Sequence, residues 1–146
     1  MTKPAYSTTA RVTGGRGGGR GAITTGELAV ELQLPKELGG PGGATNPEQL
    51  FAIGYAACFE SVLGIVGRRM NVAADDAVIH STVALIPIDD GRFELGVELD
   101  ISLPSVADRQ RATDLVRKAH QICPYSNAVR GNVEVALIVN GAPLRD

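Results

Sequence analysis

Asn46-Pro47-Glu48-Gln49-Leu50-Phe51-Ala52-Ile53-Gly54-Tyr55-Ala56-Ala57-Cys58-Phe59 decides how the chain is read. Asn46 is a good helix N-cap, because its side-chain oxygen can accept from an orphan amide of the first turn. Pro47 suits the first helical position, where a missing N–H costs nothing, and Gln49 completes an Asn-x-x-Gln capping box. Leu50, Phe51, Ile53, Tyr55, Phe59, Val62, Leu63, Ile65 and Val66 follow, and the helix ends near Arg68-Arg69. These apolar residues do not keep to one face, and a helix apolar nearly all round is buried nearly all round. In so short a chain this predicts a central helix wrapped by a sheet on one side and by another subunit on the other.

On the N-terminal side, Tyr6 to Thr13 alternates with β-branched residues and predicts a strand. It runs into Gly14-Gly15-Arg16-Gly17-Gly18-Gly19-Arg20-Gly21, too glycine-rich for regular structure. Leu28, Val30, Leu32 and Leu34 alternate with polar or small residues and predict a half-buried strand, which Pro35 ends. Leu38 to Gly43 is a loop. On the C-terminal side, Val78 to Ile86 and Phe93 to Leu103 read as strands of a hairpin turning at Asp89-Asp90-Gly91. Ser105-x-x-Asp108 caps a second helix with an apolar stripe of Val106, Leu115, Val116, Ala119 and Ile122. Pro124 stops it, and Val133 to Val139 is a last strand. The order ββ-α-ββ-α-β predicts one α+β domain over residues 1–146, without the βαβ repetition of a doubly wound sheet.

With 146 residues the chain is long enough to bury a core without staples, and its net charge of −2 points to neither nucleic acid nor a membrane. The start lacks the apolar run of a secretory signal, and no apolar stretch is read as reaching the roughly 20 residues that span a bilayer. The expected compartment is the cytoplasm, where disulfides are usually catalytic or sensing. The chain has two cysteines, Cys58 and Cys123. Each by itself reads as a small buried hydrophobe; together they are inert packing, metal ligands or a redox couple. A permanent cross-link between them would stabilise the fold by roughly 4 kcal/mol, help that a domain of this size does not need. If the sulfurs meet, cycling is the better explanation.

Helix electrostatics distinguish the two. Cys123 closes a helix, where the negative end of the dipole disfavours a thiolate. Cys58 lies roughly 18 Å along its helix from Asn46, beyond reach of the positive end, so a nucleophilic Cys58 needs a cation from elsewhere. Arg16 and Arg20, both in the glycine loop, are the candidates. Glu48 either interacts with the helix dipole alone or holds an arginine fork in place. The loop is a poor RNA site, being short, without interleaved aromatics and part of an acidic chain. His120-x-x-Cys123 places two metal-capable side chains on one face; with Cys58 they make three ligands, sparse for zinc. Phe51, Ile53, Tyr55, Phe59 and Tyr125 surround the cysteines in sequence and can line an apolar pocket for a bulky alkyl substrate.

The helix motif through Phe59, together with Cys123-Pro124-Tyr125-Ser126-Asn127-Ala128, Thr13-Gly14-Gly15-Arg16 and Leu38 to Gly43, resembles the organic hydroperoxide resistance branch of the OsmC/Ohr superfamily over nearly the whole chain. Tyr-Ser-Asn after the second cysteine favours this branch over the osmotically induced one. The resemblance implies an OsmC/Ohr-like fold, an intertwined homodimer with active sites at its interface, and a thiol peroxidase acting on organic hydroperoxides. It also implies regeneration by a dihydrolipoyl group of a lipoylated protein or of dihydrolipoamide, with no bound cofactor or metal. By motif, Cys58 is the peroxidatic cysteine, Cys123 the resolving one, Arg16 the activating arginine and Glu48 its partner. The loop departs from the family in continuing through Gly17-Gly18-Gly19 to a second arginine, which leaves Arg20 beside Arg16 as a candidate. The rival reading is a thiol sensor or metal-binding module using Cys58, His120 and Cys123.

Overall fold

A computed structural model describes residues 2–145. The chain forms two compact units, Met1–Leu50 and Phe51–Asp146. In the first, β1 (Ala10–Thr13), β2 (Arg20–Ile23) and β3 (Ala29–Glu31) pair antiparallel in the order β1-β2-β3. The first predicted strand is thus shorter than expected, and a second one begins inside the glycine tract. Arg-Gly-Ala-Ile has little strand propensity of its own. It is held by ladders on both sides, with Val12 and Val30 opposite Gly21. The turn between β1 and β2 is closed by Gly19, where an added Cβ would stand 2.3 Å from the carbonyl oxygens of Thr13 and Gly15. Only glycine fits so close a backbone approach.

Helix α1 (Pro47–Met70) begins where expected: the Gln49 amide donates to Asn46 Oδ1 at 2.9 Å. The reciprocal arm of the capping box differs, because the Gln49 side chain accepts from Thr45 Oγ1 at 2.8 Å. One sequence expectation is corrected here. α1 has 24 residues and a window of mean hydropathy 1.8, long and apolar enough by length and composition to cross a bilayer. Its alanines and glycines look like interruptions but carry almost no polar cost. The core helix of a globular protein passes the same test, and the buried side chains of α1 take that role. Tyr55, Phe59, Leu63 and Val66 join Val97, Leu99, Ile101, Leu115, Val116, Leu137 and Val139 in one apolar cluster.

The second unit's sheet has the order β4-β5-β6-β7, from β4 (Val78–Pro87), β5 (Phe93–Ser102), β6 (Glu134–Val139) and β7 (Ala142–Pro143). β4 and β5 form the expected hairpin, turning through Asp90 and Gly91 at positive φ. Along β5, Val97, Leu99 and Ile101 are buried while Glu98, Asp100 and Ser102 are exposed. β5 and β6 are parallel, so a helical crossover must join them. That crossover is α2 (Arg109–Ile122) followed by α3 (Pro124–Val129), a helix the sequence reading missed. It also missed β7, which the turn at Asn140-Gly141 folds back onto β6. Asp108 alone caps α2, accepting from the Arg111 amide at 3.0 Å, whereas Ser105 donates to Asp76 at 2.6 Å. The observed α+β architecture therefore carries one more strand at each end, and a second crossover helix, than the predicted order.

Removing the α1 cap should be measurable. Asn46→Ala is expected to lower stability by about 1 kcal/mol, read as a lower urea midpoint at unchanged slope.

Candidate active site

Pro124 ends α2 and starts α3, so Cys123 is at once the C-cap of one helix and the N-cap of the next. Its backbone, at φ −57° and ψ 125°, takes the extended conformation that a residue before proline prefers. The expected electrostatics of Cys123 rested on a single helix end. Two helix ends of opposite sign meet there, so that argument does not carry over.

Cys123 is fully buried and Cys58 half-buried; both are free thiols. The Cys123 thiol donates to Cys58 Sγ across 3.7 Å. Closing this gap to a disulfide needs a movement of about 1.7 Å. Burial pushes the Cys58 thiol up from its ordinary 9.0, and the Cys123 thiol adds to the rise. A hydrogen bond from the Tyr125 backbone N–H, in the first turn of α3, pulls the other way. No residue pattern announced this donor, because α3 itself was not foreseen.

An aromatic cluster adjoins the sulfur pair. Phe51 meets Tyr55 and Tyr125 edge-on, each at 6.2 Å between ring centres, and Tyr55 lies 5.7 Å from Tyr125 and 6.5 Å from Phe59. Gly54 makes room for it: a Cβ there would stand 2.7 Å from the Tyr125 hydroxyl. Four of the five aromatic and aliphatic residues named from sequence therefore come together. Ile53 does not; it is 68% exposed and outside the apolar cluster. Helical spacing explains the separation, because Ile53 is two residues from both Phe51 and Tyr55 and faces away from them.

In the first unit, the turn after β1 presents Arg16 to the first turn of α1. Its guanidinium grips the Glu48 carboxylate with two bonds, Nη2 to Oε1 at 2.9 Å and Nη1 to Oε2 at 3.2 Å. Arg20 is engaged elsewhere, by Glu31 at 2.6 Å, its directly opposite neighbour across β2 and β3. Of the two arginines in the loop, Arg16 is thus the one that Glu48 orients. The bidentate bond holds the Glu48 carboxyl below its ordinary 4.5 and raises Arg16. His120 sits near the end of α2, half-buried, with Nδ1 at 2.8 Å from Ser126 Oγ. Among the described residues no group of three or more His, Cys, Asp and Glu side chains is placed to hold a metal.

A dithiol placed mid-helix and at a helix break, both within the second unit, marks a class of thiol-bearing α+β proteins that known proteins share. The family profile described as OsmC-like protein matches residues 40–138. The organic hydroperoxide resistance protein of Xanthomonas axonopodis pv. citri is 46% identical over 143 residues, covering 92% of this chain and 94% of that protein. A crystal structure of an organic hydroperoxide resistance protein from Legionella pneumophila superposes with TM-score 0.89 at 47% identity, covering 94% of this chain and 98% of the other. That of OhrB of Bacillus subtilis gives TM-score 0.83 at 38% identity, with coverage of 93% and 99%. The chain belongs to the OsmC-like family and, within it, to the organic hydroperoxide resistance branch.

Two outcomes follow from this geometry. A mild thiol oxidant should close an intramolecular disulfide: free thiols fall from two to none, intact mass drops by two hydrogens, and no cross-linked dimer forms on a non-reducing gel. The Glu48 carboxyl has a depressed pKa, so the ion pair holds at neutral pH and is lost only as pH falls through that lowered value. An NMR titration should place the Glu48 midpoint below 4.5, with Arg16→Ala returning it toward 4.5.

Proposed function

We propose that the chain is a thiol-dependent peroxidase that reduces organic hydroperoxides, of alkyl or fatty-acid type, to alcohols. The observation that carries this reading is the pair of free sulfurs at 3.7 Å, one partly open to solvent and one buried. The organic hydroperoxide resistance relatives support the substrate class. The Cys58 thiolate attacks the distal peroxide oxygen; the O–O bond breaks, the alkoxide takes a proton and leaves as the alcohol, and Cys58 becomes a sulfenic acid. Cys123 then condenses with it, forming the disulfide and releasing water. An external dihydrolipoyl dithiol, free or on a lipoylated protein, exchanges with the disulfide and restores both thiols.

The resemblance assigns Arg16, held flat by Glu48, to the charge that develops on the peroxide oxygens and the departing alkoxide. Phe51 and Tyr125, backed by the fully buried Tyr55 and Phe59, supply apolar surface for the alkyl chain, a gain in burial that hydrogen peroxide cannot make. The working form is proposed to be a cytoplasmic homodimer, since α1 leaves Ile53 and Ile65 exposed in the single chain.

The test is consumption of an organic hydroperoxide against hydrogen peroxide, with dihydrolipoamide as reductant. The organic substrate should be preferred at least tenfold in kcat/KM. Cys58→Ser should abolish consumption. Cys123→Ser should react once and stop, and Arg16→Lys should lose most of its single-turnover rate, because a point charge cannot reproduce the fork. Sustained turnover by Cys123→Ser, or equal efficiency with hydrogen peroxide, would refute the reading.

A further inference from the structure

Ser126 is fully buried, and neither the proposed peroxidase chemistry nor the aromatic cluster uses it. Its hydroxyl lies 2.7 Å from the Tyr55 hydroxyl on α1 and 2.8 Å from His120 Nδ1 on α2, while Ser126 itself belongs to the first turn of α3. Each of the three residues precedes or follows a cysteine by three positions: Tyr55 before Cys58, His120 before Cys123, Ser126 after Cys123. Three positions along a helix is close to one turn. One hydroxyl therefore joins the turns that carry both sulfurs. With Nδ1 as acceptor, Tyr55 donates to Ser126 and Ser126 donates to His120, so that no proton in the chain is left unused.

We propose that the Ser126 hydroxyl is a positioning group for the cysteine couple, tying α1, α2 and α3 together so that Cys123 stays within condensation distance of Cys58. It touches neither peroxide nor sulfur; it acts by holding the two turns in register. The reaction it serves is the resolving step. There the Cys58 sulfenic S–O bond breaks, the S–S bond forms, and the Cys123 thiol proton leaves with the hydroxyl as water. Holding two reacting groups in place raises their effective concentration, which sets both the rate of that step and the stability of the disulfide.

This inference deepens the proposed peroxidase reading, and its test separates the two. The dithiol–disulfide equilibrium of the full chain is measured against a dithiothreitol redox buffer, which requires no peroxide. The condensation rate is measured separately after one equivalent of an organic hydroperoxide. Ser126→Ala and His120→Leu should each shift the equilibrium about tenfold toward the dithiol, a potential about 30 mV less reducing, and slow condensation at least tenfold. His120→Asn, whose amide can meet Ser126 where Nδ1 stood, should stay within threefold of the parent chain. An equilibrium in Ser126→Ala within twofold of the parent would overturn the proposal, as would His120→Asn being as impaired as His120→Leu. If Ser126→Ala does not fold, the two His120 variants decide. A parent chain that consumes no peroxide defeats the peroxidase reading, while the buffer equilibrium still decides the positioning role.

Discussion

Pro124 has no amide hydrogen to offer the carbonyl four residues back, and the arrangement of the site depends on that omission. The last α2 bond is the Cys123 amide to the Ala119 carbonyl at 2.8 Å; the first of α3 is the Asn127 amide to the Cys123 carbonyl at 2.9 Å. Between them the chain turns once, and three residues acquire their places from that turn. Cys123 brings its sulfur to Cys58, Tyr125 aims its backbone N–H at the same sulfur, and Ser126 carries a hydroxyl into the core. A continuous helix would have carried these residues round successive 100° steps, onto different faces. The break also gives the crossover from β5 to β6 its bend.

The electrostatics of Cys58 oppose its chemistry. A thiol at the ordinary value of 9.0 is about 1 per cent ionised at pH 7, and burial lowers that fraction further. Complete ionisation would then be worth at least roughly 100-fold, about 2.7 kcal/mol. This lies within the about 1.5–3 kcal/mol that one hydrogen bond to a charged group contributes, but the desolvation that burial imposes opposes it. In the proposed peroxidase a cation offsets that desolvation. Ionisation is also a small part of typical enzymatic acceleration, so in the proposed reaction the same cation would serve the departing oxygen as well. A guanidinium held by a bidentate carboxylate, as Arg16 is by Glu48, keeps its charge at any working pH and has its fork already oriented.

How much of this was legible follows from the kind of signal each element carries. The α1 start, the β4–β5 hairpin and the β5 alternation were readable because local sequence and tertiary environment agree there: Asn46-Pro47, Asp90-Gly91 and Val97-Leu99-Ile101 each specify one geometry. β2 was not, because Gly21 and Ala22 gain strand geometry only from the ladders on either side. Pro124 was read as a stop when it was also a start, the first-position preference that had been recognised at Pro47. Arg16 could be separated from Arg20 only in three dimensions, since register across β2 and β3 gives Arg20 to Glu31. Ile53 was misplaced for the opposite reason: nearness in sequence was taken for nearness in space.

The asymmetry of the two sulfurs, which the sequence suggested through helix dipoles, has a simpler basis in access. Cys58 is half open and Cys123 wholly buried, so an oxidant arriving from solvent meets Cys58 first whatever the protonation of its neighbour. In the proposed peroxidase the order of the reaction would then follow from geometry. The buried thiol can react only with a group already inside, and a sulfenic acid on Cys58 would be such a group. Burial also shields Cys123 from direct oxidation, while its closeness shortens the time in which Cys58 can be oxidised further to the sulfinic acid. The two protections demand opposite things of the protein, a sulfur kept from solvent and a sulfur kept near a partly exposed partner. A helix break beneath the mid-turn of α1 satisfies both, because it turns Cys123 inward and toward Cys58 in a single step.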